Sequence, residues 1–387
     1  MRSGNFRKKW YLLVLCLFMA IPVNSGAQEP AQRAPAKMLP PQFSGILLME
    51  SREEMEQPDK VLQVLGLRDG DIVADIGCGN GFYTLRLADR IDPHGVVFAV
   101  DVQQGMLDQL AERRREAGIS NIYPILGQYE DPLLPPGKID WMLVIDAYHE
   151  FSDPGAMLAR MKESLAPGGR VALIEYRVRN DTESKSFPVP RDHAMTVNEV
   201  LGEWSPAGFE LVTLLEFLPT QHFFIFKNAD DKTRPDIRKL AFENTVNVST
   251  LDNRVYFAGQ PDEVAFKRFA ELGVKTVINL RTDQEMATLD FNEEAVVGSN
   301  GMKYIRVPIG MELPDTSTLE EVMDALDTSA DTPVLMHCFN SNRVGAVWSL
   351  YAGQKGFSLE EAISEGKDAG LSFPAFEEAV RKALTTQ

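Results

Sequence analysis

Cysteine is scarce in this chain: three residues in 387, Cys16, Cys78 and Cys338. So few thiols exclude a disulfide framework, and the last two fall in different domains of the fold expected below. Positive charge is also in deficit. The 56 acids outnumber the 39 bases, for a formal charge of −17, which excludes nonspecific binding to nucleic acid or to an anionic membrane. Only five histidines are present, so any gathering of them is informative. Internal repeats are missing. What remains is ordinary for a globular chain: 44% apolar and 25% charged residues, in a length that accommodates two or three domains.

The first 27 residues stand apart. Arg2, Arg7, Lys8 and Lys9 precede an apolar stretch over 10–23, and Ser25-Gly26-Ala27 places small residues where a signal peptidase reads. This pattern predicts a cleaved secretory signal peptide, hence a periplasmic or secreted protein, with an uncleaved anchor as the alternative. After cleavage no stable membrane insertion is expected. Residues 28–48, rich in Pro, Ala and Gln, read as a flexible leader.

From about residue 59 to 228, apolar runs over 72–76, 96–100, 123–126, 139–145, 171–175, 211–218 and 223–226 alternate with helical patterns over 82–90, 105–116 and 156–165. Continuous apolar strands between helices imply a parallel sheet covered on both faces. The last two runs are too close for a crossover helix, so they form a hairpin and the final strand is antiparallel. The polar, proline-bearing stretch 229–244 reads as a linker. Beyond it come strands near 255–258, 276–280, 304–307 and 334–337, with helices near 262–272, after Ser317, and in three closing segments. The fold class is α/β, with a seven-stranded Rossmann-like domain over 49–228 and a smaller α/β domain over 245–387.

The run Val73-Ala-Asp-Ile-Gly-Cys-Gly-Asn-Gly81 ends a strand and opens a helix. Gly77, Gly79 and Gly81 let the backbone turn beside a ligand, and Asp75 can face an ammonium group. The next strand ends at Asp101, where an acid can bind two ribose hydroxyls. A third ends in Gly127-Gln-Tyr-Glu-Asp131, suited to an adenine amine. With Gln57-Pro-Asp-Lys60, Tyr148-His-Glu-Phe151 and Leu165-Ala-Pro-Gly-Gly169, this stretch, about 49–227, resembles class I S-adenosylmethionine-dependent methyltransferases, nearest to the ubiquinone/menaquinone-methyltransferase-like group. The resemblance implies S-adenosyl-L-methionine as cofactor, contacts at Asp75, Gly77, Gly79, Asp101 and Glu130 or Asp131, and a small-molecule methyl acceptor. Cys78 reads as a small filler in the loop.

The acceptor side is sought at the carboxyl ends of the strands. Tyr148, His149 and Glu150 follow the fourth strand, Glu175 closes the fifth, His193 lies in the next crossover, and His222 begins the antiparallel strand. These residues predict a polar substrate pocket, with His149 and Glu150 as candidate acid–base groups. A metal site from His149, His193, His222 and a glutamate is the competing reading, and satisfied surface histidines the third. No compact ligand motif is present, so no metal is expected.

In the second domain, Val334-Leu-Met-His-Cys-Phe-Asn-Ser-Asn-Arg-Val-Gly345 runs from a strand through a short loop into a helix. A helix start favours a thiolate at Cys338 and binds oxyanions, and Arg343 can grip a phosphate with two nitrogens. With Gly259-Gln-Pro261 and Val277-Ile-Asn-Leu-Arg281, residues about 245–385 resemble the dual-specificity-phosphatase-like superfamily. Four residues, not the usual five, separate Cys338 from Arg343. Asn340-Ser341 stands where small bacterial relatives have Ser-Gly, and Val344 replaces a hydroxyl residue. Without the glycine, one loop N–H is expected not to turn toward an oxyanion. Asp315 is the candidate general acid. A phosphoester substrate, rhodanese-like sulfur transfer and an inactive binding module all remain open. The whole reads as an exported methyltransferase with a phosphatase-like domain. The alternative is a periplasmic binding or scaffold protein retaining two enzyme folds, because the methyl donor is made in the cytoplasm.

Overall fold

The computed structural model describes residues 33–178, 189–233, 236–313, 317–329 and 332–385. The first sheet follows from its apolar runs. Trp141, Met142, Leu143 and Val144 of β4 (Ile139–Ile145) are all buried, as are Val73, Ala74 and Ile76 of β1 (Ile72–Ile76). Only a strand covered on both faces accepts apolar residues at successive positions. The strand order is β3 (Ile122–Leu126), β2 (Val96–Asp101), β1, β4, β5 (Leu165–Arg177), β8 (Gln221–Asn228) and β7 (Phe209–Leu215). Pairing is parallel from β3 to β5, and β8 lies antiparallel to both β5 and β7. The expected seven strands gain an eighth, the two-residue β6 (Ala194–Met195), which pairs with the end of β5.

The helices begin where their caps dictate. Asp153 accepts a hydrogen bond from the Ala156 N–H at the start of Pro154–Ser164, with proline in the first turn. Thr196 and Glu199 form a reciprocal capping box on Val197–Trp204. These two caps fix where the helices after β4 and β6 begin.

The second sheet has the order β13 (Lys303–Arg306), β12 (Thr276–Asn279), β14 (Val334–His337), β11 (Val255–Ala258), β10 (Ser249–Leu251) and β9 (Ile237–Lys239). Its first four strands are parallel and its last two antiparallel. Asn342–Gln354, Leu359–Asp368 and Pro374–Thr385 are the three closing helices.

The stretch read as a linker, 229–244, differs from that expectation. Ile237–Lys239 is the edge strand β9, Leu240 is buried, and Arg238 pairs with Asp71 at 3.1 Å. A three-residue strand with one buried apolar side chain is too short to stand out from polar surroundings, yet it suffices for an edge strand. The leader reading also fails over its later part. Pro41–Leu48 forms a 3-10 helix, and the Ala36 N–H donates to the His149 carbonyl at 2.9 Å. Asn80 and Gln103 donate side-chain hydrogen bonds to the carbonyls of Ser44 and Leu39 at 3.0 and 3.1 Å. Its partners lie far along the chain, so no local pattern announces the contact. Residues 1–27, read as a signal peptide, lie outside the described residues.

From Ala34 onward the chain is one compact unit, because a single apolar cluster spans both sheets. Leu65, Trp141, Leu215 and Phe223 of the first domain share it with Leu240, Tyr256, Phe266 and Phe269 of the second. Polar contacts close the seam. The buried Arg170 forks onto Asp252 at 2.9 and 3.1 Å, and Lys60 pairs with Glu271 at 2.9 Å. Removing one partner of a buried pair leaves an uncompensated charge, a loss of about 3–5 kcal/mol. Asp252→Ala is therefore expected to destabilise the chain by about this amount in urea unfolding, with both sheets melting in one transition; a loss below about 1 kcal/mol would mark the pair as water-screened.

Candidate functional site

The carboxyl ends of β1, β2, β4 and β5 open on a cavity of about 600 Å³, a size that suits a small organic ligand. Its floor is the turn after β1. Gly77 has φ 75°, and a Cβ there would stand 2.5 Å from the Ala147 Cβ. Only glycine permits this close approach of the β1 and β4 loops. The N–H groups of Gly77 and Cys78 donate to the Val100 carbonyl at 2.9 and 3.0 Å, tying the turn to β2.

Asp101 braces the same turn. Its Oδ2 accepts from the Gly79 N–H at 2.9 Å and its Oδ1 from the Gln103 N–H at 2.8 Å. A carboxylate accepts about four hydrogen bonds, so capacity remains for ligand hydroxyls. Burial raises the Asp101 pKa despite these donors. Asp75 is fully enclosed beneath the turn, with Thr84 Oγ1 donating to Oδ2 at 2.6 Å, and burial pushes its pKa up to about 6.

At the opposite end the structure gathers His149, Glu150 and His193, with the two rings 5.0 Å apart. Glu175, fully buried, contacts His149 Nδ1 at 2.6 Å and accepts from the His149 N–H at 3.2 Å. Burial works against a charged His149 ring, but Glu175 outweighs it and the pKa rises. Burial lifts Glu150 to about 7 against the pull of the two histidines. One ligating atom from each of His149, Glu150 and His193 lies within 4.8 Å of the others, the one such group among the described residues. The expectation of no metal had rested on the lack of a compact motif. The fold supplies the grouping by bringing the β6 crossover against the β4 loop.

Other predicted residues stand elsewhere. Tyr148 is buried against Phe151 and Trp204, with its hydroxyl donating to Glu203 at 2.6 Å, so it is a core residue. Glu130 is exposed and outside the cavity lining. Asp131 accepts from the Leu133 N–H at 2.7 Å and pairs with Arg160 at 3.6 Å, which turns it away; Gln128 and Tyr129 line the cavity instead. His222 lies opposite Glu175 in the β5–β8 register, but its Nδ1 is taken by Glu216 at 2.6 Å and it does not line the cavity.

Sequence reasoning passed over Asp146, Arg52 and Glu56, which line the cavity together with Tyr176 at the end of β5. Asp146 follows the carboxyl end of β4 with φ 49°, accepts from Gln221 Nε2 at 2.8 Å, and keeps Oδ1 buried without a hydrogen-bond partner. Burial, then Glu56 and Glu175, push its pKa well above the carboxylate range. The acid-at-strand-end signal that marks Asp75 and Asp101 marks Asp146 as well.

The Cys338 loop lies in the second sheet. Cys338, fully buried, follows β14, and Ser341 takes φ 73° at the start of Asn342–Gln354. The left-handed turn is thus made without the glycine, with Ser341 Oγ donating to the Ala369 carbonyl at 2.8 Å. Arg343 donates to Glu285 at 2.5 and 2.7 Å and to the carbonyls of Leu280 and Ile309. Burial opposes its charge, but Glu285 and the neighbouring Cys338 outweigh that and raise its pKa. Asp315 lies outside the described residues.

A ligand-binding doubly wound domain and a cysteine-loop domain are therefore joined in one unit. Residues 73–169 match the family described as methyltransferase domain, and residues 247–355 the family described as beta-lactamase hydrolase-like protein, phosphatase-like domain. The chain is 33% identical over 140 residues to aklanonic acid methyltransferase DauC of Streptomyces sp. (strain C5), covering 35% of this chain and 61% of that protein. Demethylmenaquinone methyltransferase of Listeria welshimeri is 26% identical over 116 residues, covering 30% and 49%. This chain therefore spans less than two thirds of either relative's length. A solved SAM-dependent methyltransferase from Aquifex aeolicus is 26% identical, covering 49% of this chain and 98% of that one, with a TM-score of 0.46.

The buried Asp75 sets a pH test. An unfolded aspartate titrates near pH 3.9. Between there and about 6, the native state keeps a proton that the unfolded state has lost, so Asp75 makes stability fall as pH rises through this window. Two pKa units correspond to about 3 kcal/mol. Comparing urea unfolding of Asp75→Asn with wild type, the variant should gain about that much relative stability between pH 4 and pH 7; a pH-independent difference would refute the shift.

Proposed function

We propose that the cavity binds S-adenosyl-L-methionine and transfers its methyl group to a small-molecule acceptor held at His149, Glu150 and His193. The observation that carries this is the set of acids at successive strand ends, Asp75, Asp101 and Asp146, around one cavity in a methyltransferase domain. The residues fit the cofactor. Asp146 Oδ1 and Asn80 Oδ1 are buried without partners on lining residues, and the Gly77 turn leaves no room for a side chain.

The cofactor supplies an electrophilic methyl group on a positively charged sulfur. The residues that would hold it are Asp75 for the ammonium group, Asp101 for the ribose hydroxyls, and Gln128 and Tyr129 for the base. These buried carboxylates favour a cationic ligand, whose charge offsets the cost of ionising them. Glu175 holds the His149 ring in place. His149, Glu150 and His193 then orient the acceptor's nucleophilic atom, whose proton passes to solvent water. The relatives named for small-molecule substrates support a small acceptor.

We propose further that residues 1–27 export the chain, on the strength of their basic start, apolar stretch and small-residue site. A second activity is favoured by the left-handed Ser341, which gives the Cys338–Arg343 loop its turn into a helix start. We read it as a cysteine-phosphatase site. The Cys338 thiolate attacks phosphorus as the phosphorus–oxygen ester bond breaks, the alcohol leaves with a proton from solvent water, and a second water breaks the sulfur–phosphorus bond, releasing phosphate and the thiol.

Calorimetry of the exported chain, with its N-terminus at Gln28 checked by mass spectrometry, should give one S-adenosyl-L-methionine site. Asp101→Ala should weaken it by about 1–3 kcal/mol, the loss of hydrogen bonds to its ligand; unchanged affinity removes Asp101 from the site. Wild type should hydrolyse an aryl phosphate and Cys338→Ser should abolish turnover. A chain that binds vanadate without turnover is a recognition module, and a persulfide on Cys338 after thiosulfate indicates sulfur transfer.

A further inference from the structure

We propose that His149, Glu150 and His193 form a binding site for one divalent transition-metal ion of the zinc class at the acceptor end of the cavity. The donor set is two imidazoles and one carboxylate, the combination that catalytic zinc sites use while leaving a coordination position open. Their ligating atoms already lie within 4.8 Å of one another. Ligands at about 2.1 Å from a tetrahedral ion stand about 3.4 Å apart, a closing that side-chain rotation supplies.

Two further observations point to an ion. Each histidine has a carboxylate at Nδ1: Glu175 at 2.6 Å for His149, and Asp192 at 3.0 Å for His193. A carboxylate there holds the proton on Nδ1 and makes Nε2 the ligating nitrogen, as in carboxylate–histidine–metal arrangements. The surroundings are also strongly acidic. Glu150 and Asp146 line this part of the cavity, and the fully buried Glu175 stands behind His149. A dication adds positive charge where the lining, besides the histidines, carries Lys37 and Arg52, the latter already paired with Glu56.

The role of the ion, unlike its binding, rests on the methyl-transfer reading. A hydroxyl or thiol acceptor that takes the open position loses its proton to water and presents the anion as nucleophile. Its lone pair bonds the methyl carbon as the carbon–sulfur bond breaks, and that electron pair stays on sulfur.

The test uses the full chain stripped by a chelator and titrated with Co²⁺. One ion per chain is expected, with visible absorption bands of nitrogen-ligated Co²⁺ that Zn²⁺ removes. His193→Ala and Glu150→Gln should each weaken binding by at least about tenfold, and Glu175→Gln, which acts through His149, by about 10–100-fold. His94→Ala, whose exposed ring pairs with Asp69, should leave binding unchanged. Calorimetry with S-adenosyl-L-methionine on each variant reports whether the cavity remains folded. Absence of a stoichiometric ion, or full retention of it by the His193→Ala/Glu150→Gln double variant, overturns the proposal. Ion binding by a chain that ignores S-adenosyl-L-methionine upholds the site and overturns the methyl-transfer reading instead.

Discussion

Crowding of carboxylates at the carboxyl ends of β1, β2, β4 and β5 is the constraint on which the site depends. Asp75, Asp101, Asp146, Glu150 and Glu175 are drawn into one region because the parallel strands β1, β2, β4 and β5 finish at the same edge. Burial raises the pKa of Asp75, Asp101, Asp146 and Glu150. The cavity therefore tends to hold protons until positive charge arrives. A sulfonium with its ammonium group at one end and a metal dication at the other answer the same electrostatic need. The histidines differ from the acids in being braced one by one, each with its own carboxylate.

Much of the scaffold is legible in the residues. The runs at 72–76 and 139–145 and the helix at 82–90 stand at the bounds expected, since long apolar strands and a clear helical period leave little choice. Asp75 and Asp101 are readable because a strand end fixes where an acid must point. The one-turn helix Tyr148–Glu150 is not: Tyr148 enters the core while His149 and Glu150 line the cavity, and a three-residue element has no period to reveal its faces. Glu130, Asp131 and His222 were candidates by position along the chain. Exposure removes the first, and local partners, Leu133 and Glu216, claim the others.

The seam between the domains was invisible for another reason. Composition suggested two bodies and a linker, yet Phe266, Phe269 and Leu240 share an apolar cluster with Leu65 and Trp141. Such contacts join residues some two hundred positions apart, and no windowed pattern detects them. The polar bonds across the seam, Arg170 to Asp252 and Arg238 to Asp71, serve chiefly to fix its register, because a misaligned pair would bury charge without compensation.

The N-terminal strap over the cavity has a consequence for the order of assembly. Ala36, Leu39 and Ser44 are held by His149, Gln103 and Asn80, residues that are synthesised later than the strap itself. Residues 36–44 thus leave the ribosome before the residues that hold them, and can reach their final place only after those have been made. That wall of the cavity depends on the β1, β2 and β4 loops being in place to receive it. Bulky additions near residue 36 should be felt at the cavity mouth before they are felt by either hydrophobic core.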